Sequence, residues 1–138
     1  MSIPPIFSYS FTIPQTAIDE NNHVNNVAYV QWMQDAVVHF VESTGLKAQR
    51  GTAWVVRQHR IEYLLPAFFG EELEVRTWVT EIKRVRLHRR YEFIRKKDGK
   101  LLVKGETDWV FIDLKTGRPL EISEEVIKAV PILPDKTK

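Results

Sequence analysis

Cysteine is absent from the 138-residue chain. That excludes a disulfide scaffold, a thiolate zinc site and cysteine nucleophilic catalysis. No apolar run approaches the roughly 18 residues that a membrane-spanning helix needs, so no membrane partner is expected. Glycine (6) and proline (7) are sparse, and proline sits mostly near the two ends and at Pro66 and Pro119. No repeat, low-complexity tract or linker interrupts the sequence, so residues 1–138 read as one domain. The start, Met1-Ser2-Ile3-Pro4-Pro5-Ile6-Phe7, has no basic residues and no long apolar stretch. It is not expected to be a signal peptide, and a cytoplasmic address is expected. What is present is ordinary for a globular chain: 43% apolar and 28% charged residues.

Neither charge sign dominates, at net +2, but the distribution is uneven. Basic residues concentrate in Lys83-Arg84-Val85-Arg86-Leu87-His88-Arg89-Arg90, continued by Arg95-Lys96-Lys97. Such a stripe can attract phosphates. More often a charge run only solvates a strand face beside neighbouring carboxylates.

Hydrophobic spacing gives a coarse structure. Phe7, Tyr9, Phe11 and Ile13 alternate with Ser8, Ser10 and Thr12, which predicts a strand ended by Pro14. One long helix is predicted from Asn26 to Thr44, capped by Asn25 or Asn26 and stopped by Gly45. Its apolar face is read as Val27, Val30, Met33, Val37, Phe40 and Val41, opposite Gln31, Gln34, Asp35 and Glu42. Four strands follow at about 53–65, 71–82, 85–96 and 101–113, then a short helix capped by Ser123 and a loose proline-rich tail. For the hairpin at Lys97-Asp98-Gly99, a three-residue turn with Gly99 in a bulge sorts core from charge. It sets Phe93 against Val103, Leu87 against Trp109 and Val85 against Phe111, with Glu92 against Lys104, Arg90 against Glu106 and His88 against Asp108. Arg89 then shares the apolar face with Thr107 and needs an anionic partner or a route to solvent. A lone helix packs on the sheet, so the expected fold is α+β, a curved antiparallel sheet of about five strands around one central helix. Its open edge invites pairing with a second copy, so a homo-oligomer is expected.

Asp19-Glu20-Asn21-Asn22-His23-Val24-Asn25-Asn26 places carboxylates, one imidazole and four carboxamides just before that helix. Turn and cap chemistry accounts for such residues by itself. A second reading is chemical. The first N–H groups of a helix lack internal partners and carry positive partial charge. They can hold a carbonyl oxygen that becomes negative during acyl transfer, one donor being worth about 3 kcal/mol of barrier. Asp19 can then act as general base on water or attack the carbon directly.

The run Asp19-x-Asn21-x-His23-Val24-Asn25-Asn26-Val27-x-Tyr29-x-x-Trp32 resembles the helix-entry motif of hotdog-fold acyl thioesterases. Ile61-Glu62-Tyr63-Leu64-Leu65-Pro66-Ala67 and Phe111-Ile112-Asp113-Leu114-Lys115-Thr116-Gly117-Arg118-Pro119 resemble that superfamily too. The likeness spans roughly residues 6 to 120 and is nearest to acyl-CoA thioesterases of the hydroxybenzoyl-CoA type. The Asp19 run also resembles plant acyl-carrier-protein thioesterases. The resemblance implies a hotdog fold and a dimer or dimer of dimers with sites at the subunit interface. It implies Asp19, His23 and Asn26 as catalytic residues, with the Asn26 N–H polarising the thioester carbonyl. It also implies Asn21, Asn25, Tyr29, Arg89 and Arg90 as substrate-binding residues, the arginines toward CoA phosphates. No metal and no cofactor are expected. The chain departs from the hydroxybenzoyl type at Asn22, where that type has Gly, which puts the local turn in question. It departs from the plant type at Pro66 and Ala67, which favours a mechanism led by Asp19. Asp35 is a weaker candidate.

The expected activity is hydrolysis of acyl-CoA to free acid and CoA. Two rivals stand beside it: an acyl-carrier-protein thioesterase, and a non-catalytic module binding acyl ligands or nucleic acid. The dense polar cluster favours an enzyme without a nucleic-acid partner.

Overall fold

Alternating aromatic and hydroxyl residues make Phe7–Thr12 the first strand, β1, in the computed structural model, which describes residues 4–135. A 3₁₀ turn, Gln15–Ala17, leads into the polar loop, and helix α1 runs Asn26–Thr44. Gly45 closes the helix with φ of 73°, a left-handed conformation that glycine adopts without steric cost. Strands β2 (Thr52–Tyr63), β3 (Glu72–Lys83), β4 (Arg86–Arg95) and β5 (Lys100–Asp113) follow, then helix α2 (Glu124–Ala129). The Ser123 hydroxyl caps α2 by accepting from the Val126 N–H. The strands form one antiparallel sheet in the order β1-β3-β4-β5-β2. The sheet curves around α1, the expected α+β arrangement.

The β4–β5 register is the one that sorts core from charge. Leu87 faces Trp109, Phe93 faces Val103, Arg90 faces Glu106 and Glu92 faces Lys104. The turn itself differs from expectation. Arg95 pairs with Lys100, so four residues form the turn, and the register shift follows Phe93, leaving Leu102 as the extra residue. The bulge is at Leu102, not Gly99. Its carbonyl is thereby free to accept from the N–H groups of Leu64 (2.8 Å) and Leu65 (3.1 Å). Both Leu102 and Val103 become fully buried, which strict alternation forbids.

The buried face of α1 also differs. It consists of Tyr29, Met33, Ala36 and Phe40, whereas Val27 is 73% and Val41 43% exposed. The rotation buries two aromatic rings and a methionine in place of valines, which removes more apolar area from water. It is possible because Gly105 of β5 lies under the helix: a Cβ there would sit 3.0 Å from Met33 Sδ.

The C-terminal tail is docked, not loose. Val130 is buried, Ile132 bridges Val79 in parallel, and the Leu133 N–H donates to the Val79 carbonyl at 2.8 Å. Asp135 receives two hydrogen bonds from Arg90, at 2.7 and 2.8 Å. The last three residues of the tail lie outside the described part. Among the described residues no helix is long and apolar enough to cross a membrane.

Candidate active site

The Asp19–Asn26 loop is a tight, internally bonded structure. Ile18 and Val24 form an antiparallel bridge, the Asp19 N–H donates to the His23 carbonyl (2.9 Å), and the Asn22 N–H donates to the Asp19 carbonyl (3.0 Å). Inside it, Asp19 Oδ1 accepts from the Asn21 N–H at 2.9 Å, an Asx turn. Asn22 takes φ of 63°, which asparagine tolerates better than other non-glycine residues. Two bonds anchor the loop to the body: Val24 N–H to the Ala67 carbonyl (2.9 Å) and Asn25 N–H to the Ala17 carbonyl (2.8 Å).

Asn25 is the cap of α1. Its side chain accepts from the Val27 N–H at 2.8 Å, and its carbonyl accepts from the Ala28 N–H at 3.0 Å. The Asn26 N–H, at the first helical position, has no partner among the described residues. The positive end of the helix therefore presents a free donor there.

Asn26 lines a cavity of about 190 Å³ together with His23, Val24, Tyr29 and the Tyr63–Ala67 segment. His23 is exposed and stands edge-on to Phe68, ring centres 5.3 Å apart. Tyr29 is buried, packed edge-on against Trp32, Tyr63 and Phe93. Its hydroxyl has no hydrogen-bond partner among the described residues, and burial, followed by Tyr63 and Glu71, pushes it well above the usual phenol range.

The fold therefore brings His23, Asn26 and Tyr29 to one cavity. Asp19, half-buried, stands in the adjoining turn but does not line the cavity within a single chain. Asn21 is exposed on that turn, and the side-chain oxygen of Asn25 is taken by the cap. Asp35 is half-buried and accepts from Gln31 at 2.9 Å.

The two arginines lie elsewhere and do not stand together. Arg89 is only 3% exposed, on the helix side of the sheet, not at the surface. Arg90, its neighbour on β4, faces away and is held by Glu106 (2.9 Å) and Asp135. Those carboxylates, Asp135 foremost, raise the already high pKa of Arg90. Among the described residues no group of three acidic or histidine side chains is placed to hold a metal.

Sequence reasoning missed Tyr63 as a member of the site. Its hydroxyl donates to the Asn26 carbonyl at 3.0 Å, tying the end of β2 to the start of α1. Alternation with Ile61 places it on the helix-facing side, so the signal was there.

A family model described as "Thioesterase-like superfamily" matches residues 13–130. The chain belongs to the thioesterase-like superfamily. This thioesterase-like chain is 23% identical to a chloroplastic acyl-[acyl-carrier-protein] hydrolase of Cuphea viscosissima, the alignment covering 96% of the chain and 36% of that protein. It is 27% identical to an L-carnitine dehydrogenase/betainyl-CoA thioesterase of Ruegeria pomeroyi, covering 91% of the chain and 26% of that protein. The chain thus spans about a third or less of the curated relatives it matches. A 1,4-dihydroxy-2-naphthoyl-CoA thioesterase from Synechocystis superposes with a TM-score of 0.84 at 21% identity, covering 90% of this chain and 94% of that one. The architecture is the hotdog fold of those neighbours. The turn raised by Asn22 is compatible with a family glycine, since its φ lies where glycine is at ease.

Proposed function

We propose that the chain hydrolyses an acyl thioester, acyl-CoA in the first instance, to a free acid and a thiol. The observation that carries the reading is the unpartnered Asn26 N–H beside a cavity that His23 and Tyr29 also line, directly after the Asp19 turn. The superfamily supports the reaction class.

In the proposed reaction the thioester carbonyl oxygen receives the Asn26 N–H. A water molecule gives a proton to the Asp19 carboxylate and its oxygen adds to the carbonyl carbon. The oxyanion is stabilised by the same N–H, which needs no reorganisation as charge develops. Collapse breaks the C–S bond, and the leaving thiolate takes a proton from Asp19. In the alternative route Asp19 adds first, releases the thiolate and leaves an anhydride that water opens. Label from ¹⁸O-water found in Asp19 after a single turnover identifies the second route, with water opening the anhydride at the aspartyl carbonyl; trapping of the anhydride by hydroxylamine identifies it when water adds at the acyl carbon. His23 supports Asp19, and Tyr63 fixes the helix entry by holding the Asn26 carbonyl.

Because Asp19 does not line the cavity of its own chain, the site is proposed to be completed in a homodimer or a dimer of dimers. The open edge of β2 runs twelve residues. Next to it Leu64, Leu65, Phe68 and Phe69 are 40% to 59% exposed. Both features suit burial against a second copy.

The test is a panel of acyl-CoA esters followed by thiol release, beside matched acyl-carrier-protein thioesters. Faster turnover of the CoA series supports the proposal. Preference for the carrier protein supports the first rival, and retention of ligand without thiol release supports a non-catalytic binder.

A further inference from the structure

A second cavity, of about 200 Å³, lies under the C-terminal half of α1. Its walls are Val37, Phe40 and Val41 of the helix, Trp54 of β2, Leu87 of β4, and Val126 and Val130 at α2. The midpoints of positions 26–29 and 37–41 of one helix are separated by about 17 Å at 1.5 Å per residue, and the two cavities share no lining residue, so this is not the cavity already described.

Three polar side chains line this otherwise apolar space: Arg89, Trp109 and the exposed Lys47. Arg89 is 3% exposed, and its Nε–H has no acceptor among the described residues. Trp109 Nε1–H is likewise buried and reaches no partner within hydrogen-bond geometry among the described residues; the Tyr91 hydroxyl, itself buried and unpartnered, stands beside it. Arg89 Nη1 donates to the Thr77 hydroxyl (3.1 Å), and the guanidinium stands 4.7 Å from the centre of the Phe40 ring. These contacts satisfy only part of it. No carboxylate among the described residues forms an ion pair with it. Burial lowers its pKa to about 10, which leaves it charged at neutral pH. An unpaired charge held out of water is costly. Two buried donors, the buried charge of Arg89 and the solvated charge of Lys47 beside apolar walls call for a small anion with an apolar body.

We infer that this cavity binds a compact carboxylic acid, its carboxylate accepting from Arg89 Nε and Trp109 Nε1 and its apolar body lying against Phe40, Val37 and Trp54. The planar carboxylate offers two acceptor oxygens to two donors. A cavity of about 150 Å³ accepts a benzene ring, so about 200 Å³ fits a ring or short chain plus the acid group. The inference stands independently of thioester hydrolysis at the other cavity.

The test is titration of the full chain with benzoate, hexanoate and the neutral benzamide, read by tryptophan fluorescence (Trp54 and Trp109 both line the cavity) and by calorimetry. Benzoate or hexanoate is expected to bind at least about ten-fold more tightly than benzamide, the order expected for a charge-assisted hydrogen bond. Arg89→Met, which replaces the buried charge by an apolar chain of similar length, should abolish that preference. Trp109→Phe should weaken carboxylate binding with little effect on benzamide. Equal binding of acid and amide overturns the inference, as does no binding of either acid at millimolar concentration. The wild-type comparison of acid with amide decides the matter even if a variant does not fold.

Discussion

Gly105 sits in the middle of β5, where glycine weakens a strand, and the helix above it explains its presence. A Cβ at that position would lie 3.0 Å from Met33 Sδ, 3.1 Å from Met33 Cε and 3.5 Å from Tyr91 Cδ1. Gly105→Ala therefore forces Met33 to move by several tenths of an ångström. Overpacking of this kind costs about 1–3 kcal/mol, and a flexible methionine places the cost at the lower half of that range. The alanine returns about 0.5–1 kcal/mol through the smaller entropy of the unfolded chain. The net expectation is a destabilisation of about 1 kcal/mol, or roughly 3–5 °C in Tm for a domain of this size, measured by calorimetry or circular dichroism. The decisive arm is a double-mutant cycle. Met33→Ala alone opens a cavity and costs about 2–5 kcal/mol. In that background the added methyl enters vacated space, so Gly105→Ala should become neutral or stabilising. If Gly105→Ala costs the same in both backgrounds, the contact between Met33 and Gly105 does not set the helix height and the reasoning fails.

Three further outcomes follow from the same geometry. Asn25→Ala removes the cap on Val27 and should cost about 1 kcal/mol in denaturant unfolding, whereas Asn25→Asp should keep most of it. Tyr63→Phe leaves the ring packing but frees the Asn26 carbonyl; kcat should fall by roughly five- to ten-fold with KM little changed, as for loss of one hydrogen bond at a positioning residue. Hydrogen bonding from Arg90 holds the Asp135 carboxyl below its ordinary 3.8. Its contribution to tail docking is thus present above that value and lost as pH falls through the lower folded one. Protection of the Leu133 amide, taken relative to its intrinsic exchange rate at each pH, should accordingly fall at acid pH in wild type and already be low at neutral pH in Asp135→Asn.

The elements were legible because period and punctuation agreed. Gly45 and Asn25 bracket α1, and the opposition of Arg90 to Glu106 and Glu92 to Lys104 chose the strand register. Three things were not legible. Which side of α1 is buried depended on Gly105 in a strand more than sixty residues away, since Val27 and Tyr29 are equally plausible as local pattern. The bulge at Leu102 answers to the backbone needs of Leu64 and Leu65, a tertiary demand. The tail looked loose because its anchor, Arg90 to Asp135, spans a long sequence separation. For the site, the polar cluster and the cap were readable, but the tie from Tyr63 to Asn26 required the fold. The need of Arg89 for a partner was readable too; the described residues give it no anionic one.

Asp19 has two separable properties, an oxygen that accepts the Asn21 N–H at 2.9 Å and a negative charge. Asp19→Asn keeps the first and removes the second, so the turn should survive while the base or nucleophile is lost. The measurement is thiol release from acyl-CoA by wild type and Asp19→Asn, with Tm recorded on both. The account expects Tm within about 2 °C and turnover reduced by roughly 10²–10⁴-fold, the contribution of a positioned acid–base group. Turnover within a few-fold of wild type in a folded Asp19→Asn protein would leave Asp19 as a turn residue and contradict the account.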